Sequence, residues 1–131
     1  MAEIITNIWL GNKNIAKNDE FLKSKNIKFL VDCEKDFLYI NIEGYNIDLK
    51  LINYWKKVSE AIYKNIMEYN SILIYCNQDY NKSQSVLLAY FIIYGHINLE
   101  QSISLVQNKF DPRYFPSNFI SKNLKYLEKN I

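Results

Sequence analysis

Residues 71–94 read Ser71-Ile-Leu-Ile-Tyr75-Cys76-Asn77-Gln78-Asp79-Tyr80-Asn81-Lys82-Ser83-Gln84-Ser85-Val86-Leu-Leu-Ala-Tyr90-Phe-Ile-Ile-Tyr94. The first five residues form a short, mainly apolar run, the pattern of a strand buried on both faces. Asn77 to Lys82 are polar and make a loop. From Ser83 to Tyr94 almost every residue is apolar, which predicts a buried helix ended by Gly95. A cysteine therefore stands where a central strand opens into a loop that faces the start of a helix. Loop amides and a helix N-terminus attract negative charge and favour a thiolate. Cys76 is thus placed as a nucleophile for phosphate esters would be.

The flanking segments predict an alternation of strands and helices. Ile4 to Leu10 reads as a first strand stopped by Gly11-Asn12. Asn18 or Asp19 caps a short helix to Lys23. Ile27 to Cys33 is a buried strand. Phe37 to Ile42 and Tyr45 to Leu49 read as two further strands about a turn at Glu43-Gly44. Leu51, Tyr54, Trp55, Val58, Ala61, Ile62 and Ile66 recur at helical spacing and predict an amphipathic helix. Asn98, with Gln101 three residues on, is a capping-box variant that opens a helix to about Lys109. Asp111-Pro112 breaks it, and Ser117 or Asn118 caps a last helix to about Lys129. The class is α/β: a small central, mostly parallel sheet covered by helices, forming one domain over residues 1–131.

Composition excludes several functions. The 131 residues are 49% hydrophobic and 23% charged, which describes a globular chain. A formal charge of +2 and a pI near 8.4 are too mild to point to nucleic acid. No apolar run is long enough to span a membrane, and the N-terminus does not read as a signal peptide. Two cysteines, Cys33 and Cys76, without zinc-type spacing, predict an intracellular, reducing compartment. A single histidine, His96, leaves no His–Cys or His-based metal site. No cofactor or metal is expected. The heavy use of Asn, Ile, Lys and Tyr, all with AT-rich codons, fits the genome of a virus or a parasite.

Tyr75-Cys76, five residues, Lys82-Ser83 and then Val86-Leu87-Leu88-Ala89-Tyr90 resemble the signature of the cysteine-dependent dual-specificity phosphatases. That signature is His-Cys-x-x-Gly-x-x-Arg-Ser followed by an apolar helix. Ile8-Trp9-Leu10-Gly11 resembles the family's opening strand, and Asn26 to Cys33 its second. Trp55 to Ile62 is similar to the helix before the central strand. Pro116 to Leu124 is similar to the closing Pro-Asn-x-Gly-Phe-x-x-Gln-Leu segment, with Ser117 and Asn123 as near matches. The resemblance implies a dual-specificity-phosphatase-like fold, with a phosphate loop of Cys76, Asn77, Gln78, Asp79, Tyr80, Asn81 and Lys82. It also implies a Cys76 nucleophile and a Ser83 hydroxyl that helps release the phosphoenzyme.

Several positions depart from that signature together. Lys82 stands where the family has an arginine whose planar fork grips two phosphate oxygens, and a point charge does not replace a fork. Asp79 stands where glycine lets the amides close on the anion; a like charge at ~4 Å costs about 4 kcal/mol at an effective dielectric near 20. Asp79 and Lys82 can instead pair with each other. Tyr75 replaces the histidine before the cysteine. The general-acid loop is shortened, and Asp48 is the only carboxylate available there. Its alternation with Ile47 and Leu49 reads as a strand residue facing solvent.

The pattern therefore predicts a pseudophosphatase that acts by binding a protein partner: a phosphoprotein, a kinase, a phosphatase or a second copy of itself. The rival readings are a weakly active phosphatase using Cys76, and a phosphopeptide reader that does not hydrolyse. A triphosphatase acting on RNA is less favoured by charge and length. Cys33 reads as core, with a Cys33–Cys76 disulfide as the alternative. Tyr80, Tyr114 and Phe115 are candidate interface aromatics, and Arg113 a candidate for a surface salt bridge or a phosphate contact.

Overall fold

The computed structural model describes residues 1–36, 47–76 and 80–131. The expected strands over residues 37–42 and 45–46, and the loop residues Asn77, Gln78 and Asp79, lie outside the described residues.

The chain opens with a hairpin of β1 (Ala2–Ile5) and β2 (Ile8–Asn12). This corrects the single strand expected over Ile4–Leu10: Thr6-Asn7 turns the chain, with Asn7 at φ 71, in the left-handed region that Asn tolerates. Gly11-Asn12 does not stop the strand. Gly11 lies within β2, where a β-carbon would come to 3.1 Å from Leu73 Cδ1. Asn12 then caps a turn of helix, α1 (Lys13–Ala16), by accepting from Ile15 N at 3.1 Å. Asn18 caps α2 (Asp19–Ser24) as expected. β3 (Ile27–Asp32) leads directly into a second short helix the pattern did not predict, α3 (Cys33–Asp36). α4 (Leu49–Met67) precedes β4 (Ser71–Cys76), followed by α5 (Tyr80–Ile93), α6 (Leu99–Lys109) and α7 (Asn118–Lys129).

Among the described residues the sheet order is β1-β2-β4-β3; β2, β4 and β3 are parallel and β1 is antiparallel. β4 is thus internal, and Ile72, Leu73 and Ile74 are fully buried. The register sorts side chains onto two faces. Ile8 beside Ile72, and Leu10 and Val31 beside Ile74, belong to the main core with Leu51, Trp55 and Ile62 of α4 and Leu87, Leu88 and Phe91 of α5. Trp9 and Leu30 flank Leu73 on the other face, where Trp9 meets Phe21 of α2 edge to face at 5.3 Å.

Of the stripe expected on α4, Leu51, Trp55, Val58 and Ile62 are buried, while Tyr54, Ala61 and Ile66 are partly buried at its edge; Ile52, outside the expected set, is buried as well. The Asn98–Gln101 capping box is present, and Ser117 caps α7. α5 begins three residues before the expected Ser83, because its first turn includes Tyr80, Asn81 and Lys82. Gly95 is not the left-handed terminator; His96 is, at φ 55. Gly95 is glycine because a β-carbon would come within 2.6 Å of the Phe91 carbonyl oxygen. No helix among the described residues is long and apolar enough to cross a membrane.

Candidate active-site loop

The C-terminal edge of a parallel sheet is where open α/β folds bind ligands. Here that edge gathers three chain ends. Asn12 of β2 pairs with Cys76 of β4, and Asp32 of β3 pairs with Tyr75. Cys33 and Glu34, the next residues after Asp32, are therefore carried to the level of Cys76 and just beyond it. Cys33 and Cys76 are both buried thiols, not joined as a disulfide.

Cys76 is 1% exposed, and its Sγ lies 3.3 Å from Ser83 Oγ, which is itself fully buried. The hydroxyl is placed to donate to a thiolate. Ser83 holds this position because it sits in the first turns of α5, facing the strand that α5 packs on. Next along the helix, Ser85 Oγ donates to the Lys82 carbonyl at 2.7 Å and accepts from Trp55 Nε1 at 3.3 Å. The fully buried indole of α4 thereby anchors the first turn of α5. Pattern reading assigned Trp55 to the core and gave no sign of this bond.

The Lys82 ammonium is committed. It donates to Glu34 Oε2 at 3.2 Å, with the two side chains 20% and 30% exposed. The expected partner, Asp79, lies outside the described residues; the observed one comes from α3, 48 positions earlier in the chain. Sequence reasoning missed Glu34. The signal that could have found it is the parallel register, which sets the end of β3 beside the end of β4.

Asp48 is not the strand residue its alternation suggested. It is the N-cap of α4, and Oδ1 accepts from Lys50 N at 3.0 Å and from Leu51 N at 3.2 Å. Unpaired amides at a helix start attract a carboxylate more strongly than local alternation orients it. The Asp48 backbone N–H in turn donates to Asn123 Oδ1 of α7 at 2.7 Å, and Asn123 Nδ2 donates to the Phe119 carbonyl at 2.9 Å. The Oδ1 oxygen of Asp48 is thus taken up at the start of α4.

Of the candidate interface aromatics, Tyr114 is buried and Phe115 is 70% exposed; the Tyr80 side chain is outside the description. Arg113 is exposed in the turn after α6 and makes no ion pair among the described residues, so the expected salt bridge is not found. Among those residues no cluster of three or more His, Cys, Asp or Glu side chains could hold a metal ion.

The family model described as "Dual specificity phosphatase, catalytic domain" matches residues 8–129. A probable dual specificity protein phosphatase of Dictyostelium discoideum is 26% identical over 95% of the chain, and the match spans 63% of that protein's length. Among solved structures, the leucine-rich-repeat and phosphatase-domain protein of Entamoeba histolytica superposes with a TM-score of 0.83 at 23% identity, over 98% of this chain and 90% of that one. The human tyrosine phosphatase-like serine/threonine/tyrosine-interacting protein superposes with a TM-score of 0.78 at 17% identity, over 99% and 97%.

Proposed function

The chain belongs to the dual specificity phosphatase family, and from that premise we propose that it is a catalytically impaired member that works by binding a protein partner. The observation that carries this reading is the Lys82 ammonium, which stands in the arginine's place and is tied to Glu34 at 3.2 Å. Three further features support it. Asp79 and Tyr75 replace the loop glycine and the preceding histidine. The Asp48 carboxylate is occupied as a helix cap.

The expected size of the impairment follows from the chemistry lost. Removing one strong donor from a developing oxyanion costs about 2.7–4 kcal/mol, or about 10²–10³ in rate. Loss of general-acid assistance costs about 10²–10⁴ more. Together these predict a rate about 10⁴–10⁷ below that of an intact site. The partner reading draws on the phosphatase-like, interacting protein that shares this fold, and on Phe115, exposed beside a buried tyrosine. A phosphoprotein, a kinase, a phosphatase or a second copy of the chain fits the reading.

One observation favours a second reading. The Cys76 thiol keeps its Ser83 hydroxyl at 3.3 Å, the pairing that a slow Cys76-dependent phosphatase would use. Hydrolysis of para-nitrophenyl phosphate by the wild type and by Cys76→Ser separates the two. The expected result is equal, near-background rates. Brisk turnover that Cys76→Ser abolishes would overturn the impaired reading.

A further inference from the structure

We propose that Glu34 determines what the loop accepts: it is a built-in anion that holds Lys82 and keeps phosphate and phosphate monoesters off it. The inference deepens the reading of the same site and rests on it.

The fold brings the carboxylate to the lysine in two steps. β3 runs parallel to β4, with Asp32 beside Tyr75. α3 begins at once, and its first turn is held by Asp32 Oδ1 accepting from Lys35 N at 3.2 Å. Glu34 is thus delivered beyond the end of β4, onto the Lys82 ammonium. Lys82 is fixed from behind, because its carbonyl is bonded to Ser85 and Ser85 to Trp55. Both partners are sheltered, with exposures of 20% and 30%, unlike the open Lys64–Glu60 pair at 69% and 57%.

The identity of the cation makes this occupancy decisive. An arginine offers five donors in a flat fork and can serve a carboxylate and a phosphate on different edges. A lysine is one compact charge. A phosphate dianion that reaches Lys82 must displace a carboxylate tethered at high effective concentration, or settle beside it against like-charge repulsion. Either way Glu34 opposes the anion, and the opposition grows with the ligand's charge.

The test uses Cys76→Ser as background, so that turnover cannot consume the ligand. Orthophosphate and tungstate are titrated by calorimetry into Cys76→Ser alone, with Glu34→Gln, with Glu34→Ala, and with Glu34→Gln plus Lys82→Met. Circular dichroism confirms folding of each. Either Glu34 change is expected to tighten anion binding about tenfold, the scale of a partly screened like-charge contact with a dianion. Adding Lys82→Met should abolish the gain. Unchanged or weaker binding in both folded Glu34 variants would overturn the proposal and make Glu34 a residue that positions the lysine. Cys76-dependent ester hydrolysis by the wild type would overturn the impaired-enzyme reading alone, because the titrations report Glu34 independently of turnover.

Discussion

Asn123→Ala tests whether α7 holds the start of α4, and with it the segment where this family keeps its acid. Asn123 is fully buried, and its Oδ1 is 2.7 Å from the Asp48 amide, 75 positions away in the chain. Truncation leaves that half-buried N–H without its acceptor, which costs about 1–3 kcal/mol. The void left by the lost amide adds to this, on the order of 1 kcal/mol. The Phe119 carbonyl lies inside α7 and has the helix's own amide to bond, so its loss is minor. The expected total is about 2–4 kcal/mol. With a urea m-value of about 1–3 kcal/mol per molar for a chain of this size, the midpoint should fall by about 1 M at unchanged slope. Asn123→Asp keeps an acceptor for Asp48 but turns a carboxylate oxygen toward the Phe119 carbonyl in a dry site, and should cost at least as much. Equilibrium unfolding followed by tryptophan fluorescence reads both variants. A loss below about 0.5 kcal/mol for Asn123→Ala would refute the reasoning, because Asp48 would then be finding water or another acceptor.

Other expected outcomes concern the glycines and the loop. Gly95→Ala drives a β-carbon to 2.6 Å from the Phe91 backbone oxygen, and should cost about 2–4 kcal/mol in thermal or urea unfolding. Gly11→Ala meets only the Leu73 methyl, at 3.1 Å, and should cost about 1 kcal/mol; a larger loss at Gly11 than at Gly95 would contradict the packing. Asp79→Gly with Lys82→Arg should restore orthophosphate binding in calorimetry but only partial ester hydrolysis, since Asp48 remains a helix cap. Full activity from that pair of changes would mean an acid is present after all. Trp55→Phe removes the indole donor to Ser85 and leaves a void, so stability should drop by about 1–3 kcal/mol, with near-unchanged far-ultraviolet circular dichroism.

Much of the fold was legible because it rests on local rules. The apolar run at Ser71–Tyr75 declared a central strand, and the three-and-four spacing from Leu51 to Ile62 declared the helix packed on it. The Asn98–Gln101 box is a contact between residues three apart, so sequence alone sufficed. The errors came where two local signals competed. The apolar run from Ile4 to Leu10 hid the Thr6-Asn7 turn, and the alternation around Asp48 hid a cap. Gly95 suggested a left-handed helix end, while the crowding at Phe91 makes glycine necessary for space and leaves the left-handed turn to His96.

The loop carries the same division. That a thiol ends the central strand, that a lysine stands six places on, and that Ser83 follows it are facts of the linear chain, because strand, loop and helix are contiguous there. That Lys82 is engaged by Glu34, that Asp48 is clamped by Asn123, and that Trp55 steadies the first turn of α5 emerged only from the folded chain. These partners are tens of residues apart and meet through strand register and helix packing. No local pattern of hydrophobicity or propensity encodes which polar side chains such packing will bring within hydrogen-bond reach.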